Sequence, residues 1–514
     1  MVDLKEKVSE SIAEQQRRIL IVIDDIDRLS PEEIRLLFRV VKAVADFPNV
    51  TYLLAFDQEV VSKALTGETQ IISGQSYLEK IIQVPFELPL PDEVALRNLL
   101  FEKLDAILQD TPEELFDSDH WSDVYWEGID HFIKTPRDVV RLINSLIVTY
   151  ATVKGDVNPV DFVAIEALRI HCSPVYHVIR SNKEAFAGPS GPTRLFGRKA
   201  EDFKPFHNAW LEGVSEADRE AVQHLTTALF PKLGAVWGRT SSGADDARDW
   251  RKDLRVCSLD IFLTYFRLSL PEGSVSRNEM QAILALTGDA EVFGLKLLEL
   301  ADQRRSDGTT QVGVVLERLL DYARDDIPVE AIPSIVKALF GVGDKLIRAA
   351  DEDVGFFNRG NDARVTLLIE KLIPRLDPPD RYTVLKEGIE NGQAVYIIVD
   401  VTTWLGVEHG RLEREPLPED MRTVNATQLG ELEALAAGKI SEAAQHPALS
   451  SDSLLNVYSF GRVLYRWRDW GGQEQGVGWV ERMLNEVTDD SQVTDQQLTT
   501  LRQFAESYRA SKGT

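Results

Sequence analysis

The sequence predicts an α/β N-terminal part, built from parallel strands and helices, followed by a larger and mainly α-helical remainder. An unbroken apolar run, Ile19–Ile23, ends directly on the carboxylates of Asp24 and Asp25. Such a run predicts a strand that is buried on both faces of a parallel sheet. Further along the chain, apolar residues recur mostly at helical spacing, which favours helices for most of the remaining length.

A βαβ unit follows from the next residues. Ser30 is a helix-capping residue, Pro31 takes the first helical position and Glu33 closes a capping box. A second strand is predicted over Val50–Phe56, and it also ends on a carboxylate, Asp57. Ligands bind at the carboxyl ends of parallel strands, so these acids indicate a site for Mg²⁺ and a hydrolytic water.

Four stretches of the chain, in this order, resemble the KAP family of P-loop NTPases: IVIDDIDRLSPEEI, TYLLAFDQEVVSKAL, SYLEKIIQVPFELPLP and TPRDVVRLINSL. The resemblance is specific over roughly residues 1–180 and thin beyond them. It implies a P-loop NTPase core remnant with a helical lid, and ATP and Mg²⁺ as cofactors. Bacterial members resemble phage-exclusion and signalling ATPases, so the resemblance also implies a role in phage defence.

The resemblance implies roles for the first group of acids. Asp24 would be the acid associated with Mg²⁺, and Asp25 its catalytic neighbour. Asp27 and Arg28 complete the DDxDR signature and are expected at the nucleotide site.

Three later residues take roles through the same resemblance. Asp57 would be a polar sensor facing the γ-phosphate. Lys80, just before a predicted third strand at Gln83–Leu88, would be a basic finger acting on a neighbouring subunit. Arg137 would be the sensor arginine of the helical lid. The plainer alternatives are a solvated surface lysine and an arginine paired with a nearby aspartate.

The chain departs from the family at the phosphate-binding loop, because it contains no G-x-x-x-x-G-K-[ST]. In related sheets the strand that carries this loop is central, between the strand ending at Phe56 and the strand Val84–Leu88. Three explanations are open: a fragment of a longer NTPase, a partner that supplies the missing half, or a remnant repacked as a non-catalytic module. We favour the first and expect no ATP hydrolysis by this chain alone.

The composition of the chain limits its possible functions and its cellular location. The net charge of −26 argues against broad, sequence-independent binding of nucleic acid. The two cysteines cannot form a disulfide framework, and neither a secretory signal nor an apolar stretch of about 18–20 residues is present. We therefore expect a cytoplasmic protein, with membrane association through segments outside this chain still open. Oligomerisation and a protein partner also stay open.

The chain divides by pattern into four regions. Residues 1–91 are predicted to form the partial NTPase core, 92–187 the lid, 198–290 a helical domain, and 291–514 a helical, solenoid-like region. A stretch rich in Gly, Pro and Ser at 188–197 is the predicted linker. The alternative function is a non-catalytic, helical protein-interaction scaffold with a vestigial NTPase sheet.

Overall fold

The computed structural model describes residues 2–14, 17–44, 47–66, 73–89, 91–190, 200–237, 244–351, 360–447, 450, 453–486 and 493–512. The chain forms two compact units, Met1–Leu90 and Pro91–Thr514. The predicted linker at 188–197 lies mostly outside the described residues.

The first unit contains the predicted βαβ arrangement. Its elements are α1 (Val2–Glu14), β1 (Ile19–Ile23), α2 (Pro31–Val44), β2 (Val50–Leu54), α3 (Gln58–Leu65) and α4 (Gly74–Leu78). The two strands pair in parallel, with Ile19 opposite Val50 and Ile23 opposite Leu54. The predicted capping box at the start of α2 is formed, since Ser30 N and Oγ both donate to the Glu33 carboxylate. The fold class predicted for this part of the chain is confirmed.

One face of this sheet carries the core of the unit. The buried side chains are Ile26, Ile34, Phe38, Val61, Ala64 and Leu78. Phe38 meets Phe56 edge-on, with ring centroids 5.6 Å apart. Arg35 Nε donates to the carbonyl of Ala64 at 2.8 Å, which ties α2 to the end of α3.

The opposite face is open, so the prediction that β1 is buried on both faces is wrong. Leu20 is 60% exposed, Val22 57% and Leu53 54%. These side chains share a face because Leu20 lies opposite Thr51 and Val22 opposite Leu53. Among the described residues of this unit, the buried core lies on the other face only.

The predicted third strand at Gln83–Leu88 is also wrong, because the described part of the sheet has two strands, β1 and β2. The segment carries alternating apolar residues, and Val84, Phe86 and Leu88 are each more than 80% exposed. The side-chain pattern suits a strand, but a strand needs a hydrogen-bonded neighbour for its backbone.

The regular elements described in the second unit are helices, beside one isolated antiparallel bridge between Arg304 and Thr310. The helices up to residue 267 are α5 (Glu93–Leu108), α6 (Ser118–Val124), α7 (Asp130–Phe132), α8 (Pro136–Thr149), α9 (Pro159–His171), α10 (Ser173–Ser181), α11 (Lys183–Phe186), α12 (Lys204–Glu212), α13 (Arg219–Leu229), α14 (Pro231–Val236), α15 (Ala244–Lys252) and α16 (Phe262–Arg267). The later helices are α17 (Arg277–Ala285), α18 (Ala290–Asp302), α19 (Gln311–Tyr322), α20 (Ile332–Leu346), α21 (Asn361–Leu372), α22 (Pro378–Asn391), α23 (Val395–Glu408), α24 (Ala426–Ala443), α25 (Phe460–Trp467), α26 (Gln473–Glu486) and α27 (Asp495–Lys512).

This unit has two apolar cores. The first extends from Leu96 to Phe266 and the second from Met280 to Ala505. In the second core, α18 packs on α20, α20 on α22 and α22 on α24, while α19 packs on α21 and α21 on α23. Helices two apart along the chain are therefore neighbours, as in a stack of helical hairpins. Within the described part of the chain, no helix is both long and apolar enough to cross a membrane.

Candidate functional site

The acidic residues follow the two strands at one edge of the sheet. Ile23 lies opposite Leu54, and Ala55 N donates to the Ile23 carbonyl at 2.9 Å, one residue beyond the ladder. Asp24 and Asp57 therefore both leave the carboxyl ends of neighbouring parallel strands. This is the edge at which ligands bind in sheets of this kind.

Asp24 and Asp25 form a tight turn at the end of β1. Asp24 Oδ1 accepts a hydrogen bond from Asp25 N at 2.8 Å. Asp25 has φ 58° and ψ 31°, a left-handed conformation that Asp and Asn tolerate better than most residues. Its Oδ1 meets Arg28 Nε at 3.0 Å, with the two side chains 54% and 66% exposed. Such an exposed pair contributes roughly 0–1 kcal/mol, so the Asp25 carboxylate is easily released.

The DDxDR signature continues into a single turn of 3₁₀ helix, Ile26–Arg28. Ile26 is completely buried and fixes this turn to the core of the unit. Asp27 is half-buried and Arg28 is exposed. The signature thus has one residue that anchors it and charged side chains that reach solvent.

Asp57 has a structural role that the sequence analysis missed. Its Oδ1 accepts hydrogen bonds from Glu59 N at 2.8 Å and Val60 N at 3.1 Å, so it is the N-cap of α3. A cap of this kind contributes about 1 kcal/mol to helix stability. The signal was present, because an Asp directly before a helical pattern is typical of an N-cap.

Lys80 and Arg137 are both exposed, and they lie in different units. Lys80 lies in a turn after α4, with its N–H donating to the Tyr77 carbonyl at 3.2 Å, and among the described residues no strand follows it. Arg137 lies in the first turn of α8, directly after the capping residue Thr135. The Asp138 carboxylate accepts three hydrogen bonds from the cap region, so the role of this side chain is to complete the capping box. Among the described ion pairs none involves Arg137.

The residues at the sheet edge fit Mg²⁺ as a donor set. No cluster of three or more His, Cys, Asp or Glu side chains that could hold a metal occurs among the residues that the structure describes. Mg²⁺ in nucleotide sites does not need such a cluster, because it keeps several waters and takes one or two carboxylates together with phosphate oxygens. Asp24 and Asp25 provide two solvent-accessible carboxylates of that kind.

Residues 1–153 match the model of the KAP family P-loop domain, which confirms the family resemblance seen in the sequence. One similar protein is the phage T7 exclusion protein of Escherichia coli (strain K12). It is 24% identical to this chain over 515 residues, and the match covers 95% of this chain and 67% of the relative. No solved structure matches the chain.

Proposed function

We propose that the first unit supplies the acidic half of an ATP-hydrolysing site, in a KAP-type ATPase that changes conformation with its bound nucleotide. The observation that carries this proposal is the shared edge of β1 and β2. One strand ends in Asp24 and Asp25, the other leads to Asp57, and both lie within residues that match a P-loop domain. Nucleotide hydrolysis relies on carboxylates that position a metal ion and a water molecule.

The residues of the chain divide this work between them. Mg²⁺, when bound with ATP, would neutralise part of the phosphate charge. The Asp24 carboxylate would hold the water ligands of that ion. Once its ion pair with Arg28 opens, the Asp25 carboxylate would orient the attacking water and accept a proton from that water. The released Arg28 guanidinium can then pair with a phosphate oxygen. Asp27 would remain beside Arg28 at the nucleotide site as a further negative charge.

The remaining candidates act further from the reacting atoms. The second oxygen of Asp57 would face the γ-phosphate while the first continues to cap α3. Lys80 would act on the site of a neighbouring copy of the protein. Arg137 would sense the nucleotide from the helical region and couple hydrolysis to its movement.

The phosphate-binding loop has to come from outside the 514 printed residues, because these contain no G-x-x-x-x-G-K-[ST]. Backbone N–H groups and a lysine in such a loop grip the β- and γ-phosphates, and acids alone cannot replace that grip. We therefore expect the chain by itself to bind ATP weakly and not to hydrolyse it.

Phosphate release from ATP tests this proposal. The 514-residue chain is compared with the protein expressed from a longer stretch of DNA, which includes the region upstream of this coding sequence. We expect turnover only in a product that contains a phosphate-binding loop. In that product, Asp25→Asn should lower kcat by about 100-fold or more, since it removes a general base. Glu32→Gln removes an exposed charge seven residues away and should leave kcat unchanged. Turnover that survives Asp25→Asn would contradict the proposal.

A non-catalytic scaffold is the second candidate. It is favoured by the existing contacts of the acids, because Asp25 already forms an ion pair with Arg28 and Asp57 already caps a helix. Under this candidate, no product of the gene hydrolyses ATP, and Asp25→Asn leaves its cellular role intact.

The similarity to a phage exclusion protein supports a role in phage defence. Plaque formation by a panel of phages is measured on bacteria that express the gene. If the protein excludes phages through its ATPase, Asp25→Asn restores plaques, whereas Glu32→Gln does not. Equal exclusion by all three versions would favour the scaffold.

A further inference from the structure

A surface cavity in the second unit, with a volume of about 340 Å³, is lined only by cationic side chains: Arg248, Arg324, Lys371 and Arg375. We call it the basic cavity. The chain as a whole has 83 acidic and 57 basic residues, so a lining without a single carboxylate is unlike its average surface. The volume lies within the range of small-ligand sites.

The wall of the basic cavity is held in place by hydrogen bonds. Arg375 Nη1 donates to the Ala323 carbonyl at 2.8 Å and its Nη2 to the Ile327 carbonyl at 2.6 Å. Lys252, on the helix that carries Arg248, pairs with Asp326 at 2.6 Å. The turn that follows α19 is thus tied to α15 on one side and to the short turn after α21, which carries Arg375, on the other. The Arg375 guanidinium and the turn that carries Arg324 are therefore in place before any ligand arrives.

Neighbouring carboxylates neutralise this charge only in part. Arg248 pairs with the adjacent Asp249 at 3.2 Å, and Arg324 with the adjacent Asp325 at 3.6 Å. These carboxylates are 57% and 79% exposed, so water screens both pairs strongly. Among the described ion pairs none involves Lys371 or Arg375.

Glu370, the acid next to Lys371, neutralises little of the positive charge of the basic cavity. Burial raises the pKa of Glu370 to about 7, with repulsion from Asp400 and Glu408 adding to the shift, although Lys371 opposes it. Glu370 is therefore only partly ionised near neutral pH, and it does not line the cavity.

The favourable position of a cation near the C-terminus of a helix explains individual cations of the basic cavity, but it does not explain why four of them lie together. Lys371 lies in the last turn of α21 and Arg324 shortly after α19, where cations interact favourably with the helix dipole. That effect acts on each helix separately. It does not explain why four cations from three segments share one cavity, where they repel each other unless an anion is bound.

We propose that the basic cavity binds a compact phosphoanion with two or more adjacent phosphoryl groups, as in inorganic pyrophosphate or the polyphosphate chain of a nucleotide. Four cations match the three or four negative charges of such a group, and arginines bind phosphate oxygens in pairs. A long nucleic acid fits less well, because it would extend from this small patch over a surface with a net charge of −26.

Isothermal titration calorimetry of the full chain with pyrophosphate, without Mg²⁺, measures the affinity and the number of sites and so tests the proposal. We expect one site per chain. Lys371→Gln and Arg324→Gln should each weaken binding by about three- to tenfold, since each removes a charge-assisted contact. Both side chains are exposed, so the variants should melt at the wild-type temperature. Arg375 is left unchanged, because its bonds to two carbonyls hold the turn.

Lys337→Gln, at an exposed lysine of α20, is the matched control and should bind pyrophosphate as the wild type does. Asp25→Asn should also leave this binding unchanged, which separates the basic cavity from the proposed ATPase site. ATP that loses affinity in the same two variants would extend the ligand class to nucleotides. The proposal is overturned by an absence of pyrophosphate binding at millimolar concentration, or by binding that neither Lys371→Gln nor Arg324→Gln weakens.

Discussion

Strand β1 and helix α23 have similar apolar compositions, yet they differ greatly in burial. β1 reads ILIVI and leaves Leu20 and Val22 more than half exposed. α23 contains YIIV, and Ile397 and Ile398 are completely buried. The difference lies in their neighbours, because α23 packs against α20, α21, α24 and α25, whereas β1, within the described residues, pairs with β2 and has an apolar core on one face only. Burial is thus decided by the layers that surround an element as well as by its own residues.

The two units can be followed separately in solution. All nine tryptophans of the chain lie in the second unit, so their fluorescence reports on the helical region. Hydrogen exchange of backbone amides in β1 and β2 reports on the first. If burial differs as described, core substitutions in the helical unit should have the largest effects and those on the open sheet face the smallest.

The largest loss of stability is expected for Asp161→Asn. Asp161 is completely buried and pairs with Arg255 at 2.8 Å and with His120 at 2.7 Å. Removing its charge leaves Arg255, whose side chain is only 15% exposed, without a carboxylate partner, which should cost about 3–5 kcal/mol. Urea unfolding followed by tryptophan fluorescence measures this cost. Asp123→Asn, at an exposed position, should change the free energy of unfolding by less than about 0.5 kcal/mol.

A pH effect of about 2–3 kcal/mol is expected from His207. Burial lowers the pKa of His207 to about 4, with Lys232 adding to the shift and a bond to the Ala185 carbonyl opposing it. The indole N–H of Trp210 donates to its Nδ1 at 2.9 Å, so this nitrogen must stay unprotonated.

Because the folded pKa lies below the value of about 6.5 in the unfolded chain, this contribution is complete above pH 6.5. It is lost as the pH falls towards 4. Urea unfolding at pH 7, 5.5 and 4.5 measures the slope, and the His207→Gln variant should show a shallower one. An equal slope in both proteins would assign the pH dependence to other groups.

A moderate effect is expected at the start of α8. The Thr135 side chain accepts from Asp138 N, and the Asp138 carboxylate accepts from Thr135 N. Thr135→Ala removes one half of this capping box and should destabilise the helical unit by about 1 kcal/mol. Thermal melting measures the loss. Thr135→Ser keeps the hydroxyl and should restore most of the stability.

The smallest effect is expected on the open face of the sheet. Val22→Thr keeps the shape and the strand propensity of the side chain, so it should change stability by less than about 0.5 kcal/mol. It should also reduce binding of the dye ANS, because it removes exposed apolar surface. Ile34→Thr, at a position only 1% exposed, should by contrast accelerate hydrogen exchange in β1 and β2 strongly. A large loss in Val22→Thr would indicate that this face is covered in solution.

The local pattern of the first unit could be predicted from sequence, because strands, caps and helices there depend on residues close in the chain. Ile19–Ile23 and the Ser30 cap are found as predicted, and the second strand begins at Val50 as predicted but ends at Leu54, two residues earlier than Phe56. The pairing of Gln83–Leu88 could not be predicted, since a strand depends on a partner that the pattern does not supply.

The basic cavity was outside the reach of sequence reasoning for a similar reason. Arg248 lies on the helix α15, and nothing in the local sequence indicates which cations will lie beside it. Lys371 and Arg375 lie more than 120 residues further along the chain. Only the packing of three segments brings these side chains to one cavity.

The left-handed backbone at Asp25 also limits how this position can change over evolutionary time. A β-carbon at φ 58° is costly for most residues, and Asn, Asp and Gly are the least affected. A lineage that lost the chemistry but kept the fold should therefore drift to Asn or Gly here well before Ala or Val. The residue found at this codon in diverged copies would separate loss of activity from loss of the turn itself.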